Sequence, residues 1–385
     1  MSNQIKVLYV NQSSNFGGAE VVLANTFSNI NGVSRYIIGS IDFINHSINI
    51  KSKNVFTSQY FGKVKRRKSK IWLLILLINL IPASFQILSI CVNKKINIIH
   101  ANNYTSLLFC VVTKLLLRVK LIWHCHETIT HHKYEKKLKY LLSVFCDTIY
   151  PVSINVQDYL LAIGIRKSKL VVIHNGVLVT KEIKTLDYNN IWSKEGPINL
   201  ICATSSFNSN KGIHIIIEAF NYIKKHRKDI FDQISLNIYG NTSVSINNYL
   251  NILIGLINKY DMNNKIIFSG FNKNLANEMK SYHICIIPSQ YYEAFPITCL
   301  EAMSSGVLVI SSQVGGLKEI IKDKVNGIAF KNSDHKRLAK KIIYAISNKS
   351  ESIKIINQAQ KTYKANYTFD LYLSKVLNNY KKLIK

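Results

Sequence analysis

Short apolar runs alternate along this chain with longer segments in which apolar residues recur at helical spacing. Apolar runs bounded by turn residues are typical of buried parallel strands, and the periodic segments predict helices. In the first half, strands are predicted at residues 5–10, 96–100, 119–123, 148–153 and 169–173, and helices at 19–27, 71–92, 107–117, 138–147 and 154–162. This alternation predicts an α/β domain with a doubly wound parallel sheet.

The same alternation resumes after residues 180–197, a polar stretch without periodicity that is typical of an interdomain linker. The second set comprises strands at 198–203, 235–239, 265–268, 283–287 and 307–311, helices at 213–222 and 317–321, and a helical tail over 336–385. We therefore expect two Rossmann-like domains, residues 1–179 and 198–360, followed by a terminal segment, 361–385. A chain of 385 residues is long enough for two separate cores.

Composition limits the class of protein and suggests its partners. A hydrophobic fraction of 48% excludes a mostly disordered chain. Fifty Lys and Arg against 21 Asp and Glu give a net charge of +29, which favours anionic partners such as membrane lipid, nucleotide phosphates or nucleic acid. The alternative is a solvated basic surface without a partner.

The cysteines and the N-terminus predict a location. The 7 cysteines are odd in number, scattered, and mostly inside apolar runs, so we interpret them as buried thiols in a reducing compartment. The first residues lack a signal-peptide pattern and lead directly into a strand. We expect a cytoplasmic protein.

A basic run at residues 63–70 precedes residues 71–92, which contain no charged side chain. That length could span a bilayer, but polar residues dilute it and a predicted sheet strand follows directly. We favour a helix at the membrane surface with the basic run on anionic headgroups. An ordinary buried helix and a true span are the alternatives.

Residues 288–301 form the most informative stretch. An apolar strand ends at Ile287, a loop follows, and Pro296 stands where a helix should begin. Glu293 should lie in the loop and Glu301 about two turns into the helix. The N–H groups near Phe295 to Thr298, apart from Pro296, which has none, would then be free to hold an anion such as phosphate.

The strand predicted at 119–123 ends in His124-Cys-His-Glu127. Two histidines two positions apart share one face of a strand, so a metal site is one interpretation. No third ligand stands at a convincing spacing, and a histidine in a purely structural hydrogen bond is a further alternative.

These motifs together resemble the glycosyltransferases of family 4, which have the GT-B fold. Glu293 and Glu301, with Phe-Pro after the first and Glu-Ala-Met-x-x-Gly at the end, resemble the family's donor-site motif. Further stretches follow in the family's order: Phe16-Gly-Gly-Ala-Glu20, Val152-Ser153, Asn175-Gly176-Val177, Lys211-Gly212, Tyr239-Gly240, Phe268-Ser-Gly270, and Gly315-Gly316 with Glu319. The resemblance covers nearly the whole chain, and the ordered set is far more specific than any single motif.

The resemblance implies two Rossmann-like domains facing a cleft, with the last helix packing back on the first domain. It also implies retaining, hexosyl-type transfer from a nucleotide sugar to a glycan or lipid-linked acceptor. No Asp-x-Asp metal motif stands in a suitable loop, and helix dipoles with Lys can replace a divalent ion, so we predict a metal-independent reaction without a cofactor. The implied catalytic residues are His126, Glu293 and Lys211. The implied donor-binding residues are Gly17, Gly18, Lys211, Gly240, Phe295, Pro296, Ile297, Thr298 and Glu301.

Within this resemblance Lys211 would bind the donor diphosphate, Glu301 the ribose hydroxyls and Glu293 the hydroxyls of the transferred sugar. The chain departs from the family at two places. Ser206 stands where an Arg is usual, so the phosphate clamp has one cation or takes a second Lys or Arg from elsewhere in the chain. Glu127 replaces a commoner Asp. Our leading hypothesis is an enzyme of cell-surface polysaccharide synthesis, such as lipopolysaccharide, capsule or exopolysaccharide, at the inner face of the plasma membrane.

Four alternatives use the same residues differently. Paired glutamates are also typical of glycosidases. Another GT-B enzyme, such as a nucleotide-sugar epimerase, would share the fold. The charge of +29 suggests a nucleic-acid-binding protein, but no binding module is recognisable, so we expect no nucleic-acid partner. An inactive homologue that binds polyanions is the fourth.

Overall fold

The structure of this chain, a computed structural model, describes residues 4–14, 17–48, 53–62, 70–127, 132–178, 192, 196–241, 248–272 and 275–385. The basic run 63–70 and most of the expected linker 180–197 lie outside the residues whose side chains it describes. The chain divides into two compact units, Met1–Asn175 with Asp370–Lys385, and Gly176–Phe369.

The first unit is built on a six-stranded parallel sheet in the order β3-β2-β1-β4-β5-β6. Its strands are β1 (Lys6–Asn11), β2 (Ser34–Ser40), β3 (Val55–Ser58), β4 (Ile98–Ala101), β5 (Lys120–Cys125) and β6 (Thr148–Pro151). Its helices are α1 (Gly18–Asn29), α2 (Ile41–Ser47), α3 (Lys70–Lys94), α4 (Tyr104–Leu116), α5 (Lys133–Ser143) and α6 (Ile154–Ala162). Val7, Leu8, Tyr9 and Val10 are fully buried because helices cover both faces of the sheet.

The second unit repeats this plan with the order β12-β11-β10-β7-β8-β9. Its strands are β7 (Ile198–Ala203), β8 (Ile234–Tyr239), β9 (Ile266–Gly270), β10 (Ile284–Ile287), β11 (Leu308–Ser312) and β12 (Ile328–Phe330). Its helices are α7 (Ile213–His226), α8 (Lys228–Gln233), α9 (Asn248–Lys259), α10 (Leu275–Glu278), α11 (Ile297–Ser304), α12 (Leu317–Ile320), α13 (His335–Ser347) and α14 (Lys349–Asn366). The last helix, α15 (Phe369–Ile384), belongs almost entirely to the first unit.

Both sheets confirm the predicted doubly wound α/β class. In each, strand order reverses between the first and fourth strands, β1 beside β4 and β7 beside β10. The connections on either side of such a reversal leave the sheet in opposite directions, so a crevice opens at the carboxyl ends of the two strands. These crevices are where a ligand-binding site is expected.

The prediction of a strand at residues 169–173 was wrong. The structure has a 3-10 turn, Lys167–Lys169, followed by extended chain with a single bridge between Ile149 and Leu170. The N–H groups of Val171 and Ile173 donate to Ile149 and Pro151. Pro151 has no N–H to donate in return, so the ladder is incomplete on that side.

Other boundaries differ by less. The helix expected at 138–147 begins earlier and ends earlier, at Lys133–Ser143. Strands β2, β3 and β12 and helix α2 were not predicted; β3 and β12 have only four and three residues, whereas β2 has seven. Helix α3 covers the uncharged segment at 71–92, and no helix in the described part of the chain is long and apolar enough to cross a membrane.

Candidate functional site

An ion pair lies at the crevice of the second unit. Lys211 ends a 3-10 turn after β7, and Glu293 lies in the loop after β10. The Lys211 Nζ atom lies 2.6 Å from Glu293 Oε1, and the hydroxyl of Ser289 donates to the same oxygen at 2.6 Å. Strands β7 and β10 are adjacent and parallel, so these loops meet at one edge. Two predicted site residues are thus brought together, and Ser289 was not predicted.

Glycines hold the neighbouring loops against the loop that carries Glu293. Gly212 has a φ of +68°, and a Cβ there would lie 2.0 Å from the carbonyl oxygen of Pro288. At Gly315, with a φ of +50°, a Cβ would lie 2.1 Å from the Glu293 carbonyl oxygen. The N–H of Gly316 donates to that oxygen at 2.7 Å. The position of Glu293 therefore depends on backbone contacts that only glycine allows.

Helix α11 begins at Ile297 directly after Pro296, as predicted. Pro296 is the N-cap and supplies no side-chain hydrogen bond, and the N–H groups of Ile297 and Thr298 lie in the first turn, where no acceptor exists within a helix. The ring of Phe295 is buried against Tyr367, with 5.7 Å between ring centroids. Phe295 could therefore contact a ligand only through its backbone.

Glu301 is the fifth residue of α11, closer to the helix start than the two turns expected. Its side chain is half-buried, and burial raises the pKa of the carboxyl to about 7. Among the described residues its carboxylate has no hydrogen-bond or ion-pair partner. A desolvated carboxylate without a donor is a site where ligand hydroxyls would bind favourably.

Gly240 follows β8, and Ser206 follows β7. The N–H of Gly240 donates to Gly270 at 2.9 Å, and a Cβ would lie 2.8 Å from the ring of Phe207. Gly240 is thus required for packing, and its N–H already has an acceptor. Ser206 sits in a local turn in which Asn208 donates to its hydroxyl at 3.1 Å, so it supplies no positive charge.

In the first unit, Gly17 and Gly18 begin α1 at the carboxyl end of β1. Gly17 is extended, with a φ of −139° that any residue adopts. Its N–H donates to Glu20 Oε2 at 3.0 Å, so this N–H already has a carboxylate acceptor. Burial raises the pKa of Glu20. Glu20 was quoted in the sequence motif without a role, and the structure places its carboxylate in contact with Gly17, a predicted site residue.

His126 follows β5, and its ring packs against that of His124 at a tilt of 39°, with 4.1 Å between ring centroids. It is half-buried, and burial lowers its pKa below the ordinary value for histidine. The Nδ1 atom of His124 lies 3.1 Å from His100 Nε2, so one nitrogen of this ring is in a hydrogen bond. No group of three or more His, Cys, Asp or Glu in the described part of the chain is arranged to hold a metal ion.

A buried lysine that the sequence did not reveal lies within the electrostatic influence of Glu127. Lys139 is fully buried, with its Nζ 3.1 Å from Glu135 Oε1 and 5.0 Å from the centroid of the Tyr104 ring. Glu127 Oε1 accepts the N–H of Tyr104 at the start of α4. Burial alone would lower the pKa of Lys139, but nearby negative charge, led by Glu127, outweighs it and raises the pKa. One lysine among several in α5 carries no sequence signal of burial.

Two family models match the chain in succession. "Glycosyltransferase Family 4" matches residues 55–181, and "Glycosyl transferases group 1" matches residues 187–362. Together they cover most of the sequence.

Individual relatives give the same result. An uncharacterised glycosyltransferase of Methanocaldococcus jannaschii is 37% identical over 119 residues, which are 30% of this chain and 30% of that protein. A glycosyltransferase from Rickettsia africae aligns with a TM-score of 0.79 at 21% identity, covering 100% of this chain and 99% of that one. Anabaena HepE, solved with UDP and glucose, aligns with a TM-score of 0.78 at 19% identity, covering 98% and 100%.

The matched segment thus spans less than a third of that sequence relative, and the structural alignments, at such low identity, establish the fold. The family models rest on sequence and reach across both units. The chain belongs to the GT-B glycosyltransferases that resemble family 4.

Proposed function

We propose that this protein transfers a sugar from a nucleotide-sugar donor, with retention of anomeric configuration, to a glycan or lipid-linked acceptor. The observation that carries the proposal is the Lys211–Glu293 pair at the crevice between β7 and β10, in the loop that leads into the uncapped start of α11. A cation beside open helical N–H groups suits a diphosphate, and a nearby carboxylate suits sugar hydroxyls.

In this proposal the main catalytic task is to stabilise negative charge on the departing nucleoside diphosphate. Lys211 would exchange its Glu293 partner for a phosphate oxygen, and the N–H groups of Ile297 and Thr298 would bind a second oxygen. The helix dipole of α11 adds positive potential at the same end. These groups supply the charge that a divalent cation would otherwise provide, so we expect transfer to continue in EDTA.

The remaining residues would position the donor. Glu301, which has no partner among the described residues, would accept hydrogen bonds from the ribose hydroxyls, and Glu293 would accept them from the transferred sugar. His126, on the first unit, is proposed to approach the donor sugar as a neutral imidazole. Uridine diphosphate sugars are the first donors to test because the Anabaena structural neighbour was solved with UDP and glucose.

The experiment is calorimetric binding of nucleoside diphosphates and nucleotide sugars without added metal. Glu301→Gln keeps the side-chain shape but loses the negative acceptor, so we expect affinity for the preferred nucleotide to fall about tenfold or more. Glu351→Gln, at an exposed ion pair with Lys354, is the matched control and should bind as wild type does. Failure of folded wild type to bind any nucleotide would overturn the proposal.

Product analysis separates transfer from the main alternative within the same fold. A transferase consumes the nucleotide sugar only when an acceptor is supplied, whereas an epimerase converts it alone. Proton NMR of the first-formed product gives the anomeric configuration. We expect retention. Inversion would contradict the proposed retaining mechanism but would still be consistent with glycosyl transfer.

We also propose that the first unit contacts an anionic membrane surface, where a lipid-linked acceptor would be found. On α3, Ile78, Ile81 and Phe85 are exposed at 63%, 63% and 58% and lie on one helical face. The sequence places the basic run 63–70 directly before this helix. An exposed apolar stripe beside basic residues is typical of helices that lie in the lipid interface.

Vesicle flotation tests this contact. We expect more binding to vesicles with phosphatidylglycerol than to pure phosphatidylcholine, reduced by high salt and by the double change Ile81→Ser with Phe85→Ser. Ile252→Ser, at an exposed apolar residue of α9 in the other unit, should not change binding. Equal binding to both vesicle types would contradict an anionic surface as the partner.

A further inference from the structure

A line of buried hydrogen bonds connects the last helix of the chain with the strand that leads to His126. Tyr380, on α15, contacts His100 at the end of β4, with 2.6 Å between Tyr380 Oη and His100 Nδ1. His100 Nε2 lies 3.1 Å from Nδ1 of His124 on β5. At the far end, the Tyr380 hydroxyl donates to the hydroxyl of Tyr9 at 3.3 Å. All four side chains are buried, and all belong to the first unit.

Both imidazoles in this line are neutral under ordinary conditions. Burial lowers the pKa of His100 to about 3 and holds the pKa of His124 well below its ordinary value, with the neighbouring histidines acting in the same direction. None of the rings that face these two imidazoles carries a charge near neutral pH. They belong to Tyr9, Tyr150, Tyr372, Tyr380 and His126.

The donor at one end determines the direction of every bond. Tyr380 has a single hydroxyl hydrogen, and that hydrogen points to Tyr9. Its oxygen must therefore accept the Nδ1–H of His100. A neutral imidazole has one N–H, so His100 Nε2 is an acceptor and His124 must donate from its own Nδ1. Both histidines then carry the proton on Nδ1, the less common position for a free neutral histidine.

The ring of His126 packs directly against the ring of His124. Their ring centroids are 4.1 Å apart with 39° between the planes, and Tyr372 stacks at 6.3 Å from His124. His124 Nε2 has no hydrogen-bond partner among the described residues. Because the Nδ1 bond is the only hydrogen bond of this ring in the described part of the chain, that bond fixes the orientation of the His124 ring beside His126.

We propose that Tyr380, His100 and His124 are positioning residues for His126, and that the last helix sets the tautomer and orientation of His124 through this line of hydrogen bonds. The proposal rests on the proposed function, in which His126 approaches the donor sugar. It assigns to α15 a role in the chemistry of the first unit, in addition to its packing on the sheet.

The first test is nitrogen-15 NMR of histidine-labelled wild-type protein, with the His100 and His124 signals assigned from His100→Gln and His124→Gln. Protonated Nδ1 on both rings is the expected result, and protonated Nε2 on both would overturn the proposal. Tyr380→Phe removes the acceptor of His100 Nδ1–H, so both protons should move to Nε2. Tyr372→Phe is the control: its hydroxyl accepts from Thr26 at 3.0 Å, outside the line, and the Nδ1 protons should stay.

The second test is steady-state transfer with the preferred donor. In Tyr380→Phe we expect kcat to fall about tenfold with little change in KM, because a misplaced catalytic group weakens the transition state more than donor binding. Unchanged kcat in a folded Tyr380→Phe protein whose protons have moved would overturn the positioning role. Full activity in His126→Ala would instead show that the proposed role of His126 is wrong, whatever the NMR result.

Discussion

Lys211 and Glu293 are separated by 82 residues, yet Lys211 Nζ lies 2.6 Å from Glu293 Oε1. Their side chains are 28% and 12% exposed, so solvent screens the pair only in part. The contact keeps both charges at the crevice without leaving either unpaired. A phosphate that binds Lys211 would free Glu293 to bind the hydroxyls of the transferred sugar. Binding at the proposed phosphate subsite would therefore favour binding at the proposed sugar subsite.

Lys211→Met should reduce transfer strongly. Loss of a preorganised group that stabilises a developing anion typically costs about 100- to 1,000-fold in kcat. The measurement is kcat with the preferred nucleotide sugar. Lys341→Met is the control, since Lys341 pairs with Asp323 at 3.2 Å elsewhere in the same unit and should retain full activity. Equal losses in the two variants would mean that Lys211 acts through general stability.

Glu301 should make the ligand-free protein less stable as pH rises. Burial raises its pKa from 4.5 to about 7, so the neutral form favours folding. That stabilisation is complete below about pH 4.5 and is lost as pH rises through about 7. Because Glu301 keeps some solvent contact, we expect a loss of about 2 kcal/mol between these limits.

Glu301→Gln should remove this pH dependence. Urea unfolding at pH 5 and pH 8 gives the free energy of unfolding of both proteins. The difference between variant and wild type should be about 2 kcal/mol more favourable to the variant at pH 8 than at pH 5. The same variant is expected to bind nucleotide less well, so a gain in stability would accompany a loss of function. A wild-type difference equal to that of the variant would argue against the raised pKa.

Gly212→Ala should destabilise the second unit and disturb Lys211. Its φ of +68° and the 2.0 Å approach of a Cβ to the Pro288 carbonyl both oppose a side chain, and the penalty should exceed about 2 kcal/mol. Gly255→Ala on α9 is the contrast, because no atom lies within 4 Å of a Cβ there and alanine favours helix, which should add roughly 0.5–1 kcal/mol. Thermal unfolding of both variants checks the opposite signs.

Lys139→Met should destabilise the first unit by about 3 kcal/mol, because it leaves the carboxylates of Glu127 and Glu135 without the buried cation. Adding Glu127→Gln removes one of those charges while keeping an oxygen for the Tyr104 N–H, so part of the loss should be recovered. A double-mutant cycle by urea unfolding measures this coupling.

Lys137→Met, at an exposed position of the same helix, controls for the loss of a lysine from α5 and should be nearly neutral. Additive effects of Lys139→Met and Glu127→Gln would show that the two charges do not interact.

Much of the architecture could be predicted from local pattern. Strands β1, β7 and β10 and helix α6 lie at or near their predicted positions because each is a continuous apolar run or a regular helical repeat between turn residues. The prediction of a strand at residues 169–173 failed because of Pro151 on the neighbouring strand, and no pattern within 169–173 reveals that neighbour. Short edge strands such as β3 and β12 contain too few residues for periodicity to be distinct.

The sequence by itself determined the parallel α/β class, the start of α11 at Ile297 and the ordered motifs that resemble family 4, because these depend on residues close together in the chain. Only the tertiary structure decided that Ser289 shares an oxygen with Lys211, that Lys139 is buried, and that Tyr380 reaches His100. Those contacts depend on which strands become neighbours and which helix covers them. Strand order follows from the packing of whole layers, and a local hydrophobic pattern that fits many orders does not select one.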